Sequence, residues 1–110
     1  MQSSNPSQTA PAIDVSKMEM PNPKALLHAS KLAVMEDKPI MLDYWVDSTK
    51  NDVFIGIKGE SGDEKLLVKS AEEYTSPIAK LYRVENNFII CTVNSIYIVK
   101  DSIPKKKISN

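Results

Sequence analysis

The order of apolar and polar positions divides the chain into a leader, one helix and a β-rich remainder. Met1 to Pro21 is rich in Ser, Asn, Gln, Pro and Ala, with apolar side chains scattered at Ile13, Val15, Met18 and Met20. No periodicity runs through it, and such a composition buries too little surface to order itself. It is expected to be a disordered leader, or an arm that orders against a neighbour with those four side chains as anchors. Asn22-Pro23 then has the chemistry of a helix start, an N-cap followed by proline in the first helical position. Leu26, Ala29, Leu32, Ala33 and Met35 recur at helical spacing, with Lys31 and Glu36 on the wet side. Small alanines on the apolar side suit close packing on a sheet.

Pro39 closes this helix. Within Lys38 to Ser48, the residues Ile40, Leu42, Tyr44 and Val46 alternate with Met41, Asp43, Trp45 and Asp47. That period of two predicts a strand, with the single tryptophan on the face opposite Tyr44. Trp45 is then either under a second layer or an exposed contact residue, and partial burial completed by a partner is expected. Asp47 to Asp52 has turn chemistry, and Val53 to Lys58 alternates as a strand in which Gly56 marks a bulge or a close backbone approach. After the turn Gly59 to Glu64, KLLVKS gives a short strand and Ala71 to Pro77 an irregular connection. IAKLYRV, FIICT and IYIVK form a meander whose turns offer Asn86 and Asn94 for positive φ.

The expected architecture is therefore α+β: one N-terminal helix and about six mostly antiparallel strands in a bent sheet or small open barrel. The domain is expected to span residues 22–101, between the leader 1–21 and a basic tail 102–110.

Composition adds limits. The chain has 110 residues, 42% hydrophobic and 25% charged, with formal net charge zero. That fits one small domain whose core is modest enough to gain from a partner. No global field draws it to nucleic acid or membranes. No apolar run reaches spanning length and no signal peptide is recognisable, so the chain reads as soluble, with no membrane partner. A lone cysteine, Cys91, excludes an internal disulfide and fits a reducing compartment.

Candidate chemistry is sparse. His28 is the only histidine, with no second histidine beside it. The turn acids in DSTKND and GESGDE lack the ligand offsets of a calcium loop, and three glycines cannot write a phosphate-binding motif. Asp43 and Asp47 would lie two strand steps apart, too far to share a proton. Cys91 sits in an apolar strand, where it packs. No catalytic residue, metal site or cofactor is therefore expected. A nucleic-acid surface would need exposed aromatics among basic residues, and Tyr82, Arg83, Phe88 and Tyr97 with Lys105, Lys106 and Lys107 are its candidates.

Two resemblances follow from particular residues. KLAVMEDKPIMLDYW is similar to the first helix and strand of thioredoxin-like proteins. Where that family carries a redox Cys-x-x-Cys, this chain has Val46, Asp47, Ser48 and Thr49, so the chemistry is missing. The segments ALLHASKLAVMEDKPIMLDYW, EKLLVKSAEEYTSPI and NSIYIVK resemble short proteins of nucleocytoplasmic large DNA viruses, over about Lys24 to Lys100. This resemblance implies a product of the host cytoplasm or the virion and brings no catalytic residues. The resulting expectation is a non-enzymatic protein-interaction or assembly module, a viral structural or virion-associated protein, binding other proteins, itself or capsid subunits. Ile13, Val15, Met18, Met20 and Trp45 are its contact residues. The alternative is a nucleic-acid-associated factor.

Overall fold

Asn22 caps the main helix as its residue type demands, its side-chain oxygen accepting the Lys24 amide at 2.8 Å. In the computed structural model, which describes residues 15–108, this helix (α1) runs Pro23–Glu36 and ends on Asp37 in the left-handed region at φ 55°. Ala25, Ala29 and Leu32 are buried and Leu26 and Ala33 half-buried against them, whereas Met35 faces solvent at 78% exposure. The expected apolar stripe is thus displaced toward the alanines.

The meander is present as β5 (Ile78–Val84), β6 (Asn87–Thr92) and β7 (Ile96–Lys100), antiparallel throughout. Its first turn places Glu85, not Asn86, at positive φ (56°), and Asn94 also keeps negative φ. A short β1 (Ile40–Met41) adds parallel to β7, completing a sheet of order β1-β7-β6-β5. The second sheet is β4-β3-β2-β8, built from β2 (Phe54–Lys58), β3 (Glu64–Ser70), β4 (Glu73–Tyr74) and β8 (Lys105–Lys107). The fold is α+β, with one main helix and eight strands in two mixed sheets among the described residues. Neither sheet closes into a barrel. The expected α+β class with one main helix holds; the strands, expected as about six in a bent sheet or small open barrel, are eight among the described residues and are divided between two sheets.

Alternation along β6 and β7 explains the layering. Ile89, Cys91, Ile96 and Ile98 point to α1, and Ile90 and Val99 point to the second sheet, where Val53, Ile55 and Leu67 meet them. β6 and β7 are therefore covered on both faces, whereas the edge strand β5 stays largely exposed. Each fully buried aliphatic on β6 and β7 contributes about 1.5–3 kcal/mol by leaving water.

The expected strand over Lys38 to Ser48 is also corrected. Pairing stops at Met41; the Trp45 amide returns to the Leu42 carbonyl at 3.1 Å, and a one-turn helix, α2, follows at Trp45–Thr49. The physical reason lies in the two cores. Tyr44 enters the layer between the sheets and Trp45 the layer under α1, so this pair seals both, 4% exposed each. Ser48 fixes the geometry: its buried hydroxyl donates to the Trp45 carbonyl at 2.6 Å and accepts the Lys100 amide at 3.1 Å.

The chain ends extend the domain as well. The Trp45 indole donates to the Glu19 carbonyl at 2.8 Å, Glu19 pairs with Lys100, Pro21 is buried, and the Asn22 amide donates to Asn87 Oδ1 at 2.7 Å. At the other end Ile103 plugs the inter-sheet core, and Lys105–Lys107, expected in a basic tail outside the domain, forms β8 parallel to β2. No described helix is long and apolar enough to cross a membrane.

Candidate interaction site

In β3, Leu66, Leu67 and Val68 are consecutive, so the strand carries apolar side chains on both faces. Leu67 points into the inter-sheet core. Leu66 and Val68 point the other way, onto the outer face of the second sheet, in register with Gly56 and Phe54 of β2. Among the described residues, no helix lies on this face. A bulge between Val68 and Ser70 shifts the register of β4 and brings Tyr74 opposite Val68. From the other edge Ile108, just after β8, folds over Gly56. A Cβ on Gly56 would lie 3.0 Å from Ile108 Cδ1 and 3.1 Å from Val68 Cγ2, so this close approach needs glycine.

The result is an open groove of about 640 Å³. Its floor is Leu66 and Val68; Phe54, Tyr74 and Ile108 rise around it, with Ser70 and Ala71 at one end and Lys58 and Lys107 at its rim. Tyr74 is 57% exposed. Lys106 holds its ammonium 4.8 Å from the centre of the Phe54 ring, a cation–π contact on the same face. Among the described residues, Lys58, Lys65, Lys105 and Lys107 have no carboxylate within ion-pair distance. In contrast, Lys38 and Lys80 reach Glu36, Lys69 reaches Asp47 and Glu73, and Arg83 reaches Asp101. Glu36 is held below the usual carboxylate range by its hydrogen bonds to Lys38 and then Lys80.

The residues singled out in the sequence are dispersed. Met18 and Met20 are exposed, at 47% and 55%. Ile13 lies outside the described residues, as does the Val15 side chain. Trp45, expected to be partly open to a partner, is covered by α1, the first sheet and the chain's own Glu19. The aromatics proposed for nucleic acid do not share a surface. Tyr82 is half-buried against α1 with its ring 5.1 Å from His28, while Phe88 and Tyr97 pack between the sheets, Tyr97 edge-on to Tyr44 at 5.3 Å. Arg83 is held by Asp101 at 2.8 Å. Lys105, Lys106 and Lys107 do stand together, on β8.

For catalysis the described residues offer little convergence. Cys91 is fully buried and burial pushes its thiol up, toward the unreactive form. No group of three or more His, Cys, Asp or Glu among the described residues is placed to hold a metal. The groove itself escaped the sequence reading. The signal was the run Leu66-Leu67-Val68 opposite Phe54, which leaves apolar side chains on a face that the single helix cannot also cover. No family model matches the chain, and no curated protein or solved structure matches it either.

Proposed function

We propose that this protein is a non-enzymatic protein-interaction module whose working surface is the outer face of the second sheet. One observation carries this reading: an apolar groove floored by Leu66 and Val68 and walled by Phe54, Tyr74 and Ile108, on a sheet face that no helix covers among the described residues. Leu66 and Val68 are covered by the chain's own groove walls to 6% exposure each, whereas Tyr74 stands 57% exposed above them, and an open apolar groove of this kind marks a contact surface. The exposed Met18 and Met20 add a secondary contact along the leader. On the resemblance of its segments to proteins of large DNA viruses, the setting proposed is the host cytoplasm or the virion, with capsid subunits or further copies of the chain among its partners.

The test is capture of partners from the native source by the full chain, beside a Tyr74→Ser, Ile108→Asp double variant. The variant is expected to keep its thermal transition and lose the partners. Equal capture by both proteins would reject the groove as the working surface.

A second reading, a nucleic-acid-associated factor, is favoured by one observation: Lys105, Lys106 and Lys107 are consecutive, exposed and without carboxylate partners on an edge strand. It predicts retention on DNA or RNA that falls steeply with salt, as released counterions require.

A further inference from the structure

Among the described residues the second sheet ends at β8, and β8 pairs only with β2. The Ile55 amide donates to the Pro104 carbonyl and the Ile108 amide to the Ile57 carbonyl, both at 2.9 Å. Main-chain groups alternate sides along a strand, so Pro104, Lys106 and Ile108 face β2, and Lys105 and Lys107 turn their N–H and C=O groups outward. An unsatisfied edge of this kind is a template for one more strand. Lysines on an edge commonly block such pairing, and here three in succession repel the same edge of a second copy. They do not repel an acidic strand. The groove adjoins this edge through Lys107 and Ile108, so a strand laid along β8 has apolar cover within reach of its side chains.

We infer that β8 accepts an extended, acid-rich peptide as a fifth strand of the second sheet. Its main chain pairs with Lys105 and Lys107, its carboxylates meet the unpaired lysines, and an apolar side chain enters the groove beside Ile108. This rests on the interaction-module reading and specifies the chemistry of its partner. Main-chain pairing also separates the proposal from phosphate binding, since a nucleic acid would use the lysines and ignore the edge.

The test is fluorescence anisotropy with the full chain and a labelled ten-residue peptide alternating Glu or Asp with Val or Leu. The controls are the same peptide with Lys for every acid, and a labelled oligo-dT. The acidic peptide is expected to bind and the basic one not. Lys107→Pro removes an outward N–H that β2 does not use. It is expected to weaken binding at least tenfold more than Lys107→Ala, which removes the charge alone. An independent arm leaves the protein untouched: N-methylation at alternate peptide positions should abolish binding in one parity and spare it in the other. Equal effects of Lys107→Pro and Lys107→Ala with no parity in the methylated series would overturn strand addition. So would tighter binding of oligo-dT, or no binding of the acidic peptide. Native partners captured through the groove while the peptide fails would sink this inference and leave the module reading standing. Partners lost altogether would sink the module itself.

Discussion

Cys91 is enclosed between α1 and the first sheet, and its position in an apolar strand already implied this. The native thiol should resist a bulky alkylating reagent and react only as the protein unfolds, in a labelling time course run beside a denaturant series. Cys91→Ser, which buries a hydroxyl where the thiol packed, should cost about 1–3 kcal/mol in the same denaturant series. Tyr44 behaves differently. Burial, then the nearby Glu73, pushes its phenol up from the ordinary 10.0 to about 12. The folded state thus favours the neutral form. Its contribution is whole below pH 10, where the unfolded chain is also neutral, and is lost as pH rises from 10 toward 12. A shift of that size corresponds to about 2–3 kcal/mol. Alkaline titration of the unfolding free energy should show this fall, and Tyr44→Phe should flatten most of it. Nothing in the alternation around Tyr44 separated it from Leu42, because both fit a strand face equally well. At Gly56 the sequence was more informative, since a lone glycine in a strand suggested the close approach that Ile108 makes. Gly56→Val should displace Ile108 and cost about 1–3 kcal/mol by overpacking, and Ile108→Ala in the same chain should return part of it.

Among the elements, α1 and the β5–β6–β7 meander were legible because each carries its own local instructions. Asn22-Pro23 starts the helix, Pro39 forbids its continuation, and two short polar turns separate three apolar runs. The segment after Pro39 was not legible. Its period of two is genuine, but a five-residue helix with Trp45 facing one core and its cap residue Tyr44 the other satisfies the same polarity pattern. Choosing between them required Ser48 to meet the Lys100 amide, a contact 52 residues distant. Trp45 is then the pin that holds the segment before α1. Trp45→Phe loses the bond to Glu19, worth about 1 kcal/mol, and should quicken tryptic cleavage after Lys17. Unchanged cleavage would show that Pro21 and the Lys100–Glu19 pair suffice. The native emission of Trp45 should already be blue-shifted and should not move when a partner binds.

For the whole molecule, the assembly is three-layered: α1, the first sheet, the second sheet. The chain ends reinforce it, since Glu19 to Asn22 lies against α2 and β6, and Ile103 with β8 locks the second sheet. Removal of residues 1–21 should therefore leave a cooperative transition at a midpoint several degrees lower. Removal of residues 103–110 should be more damaging, because it opens the inter-sheet core and strips β2 of a neighbour. Thermal melts of the two truncations compare the ends directly. The greater loss in the first truncation would mean that the leader, and not β8, closes the structure.

What the sequence determined by itself was whatever is written within a few neighbouring residues. That covers the α+β class, the cap and length of α1, the three-stranded meander, the packed thiol and the lack of known catalytic motifs. Tertiary structure decided whatever depends on partners distant in the chain. It split the strands into two sheets, made β8 from a lysine triplet whose own propensity is poor, and turned Tyr44 and Trp45 into different cores. It also drew the proposed site away from Tyr82, Phe88 and Tyr97 to Phe54, Tyr74 and Ile108. The physical reason is the same in each case. A pattern of polarity says that a side chain must be covered, and only the packing of distant segments says by what, or leaves it open.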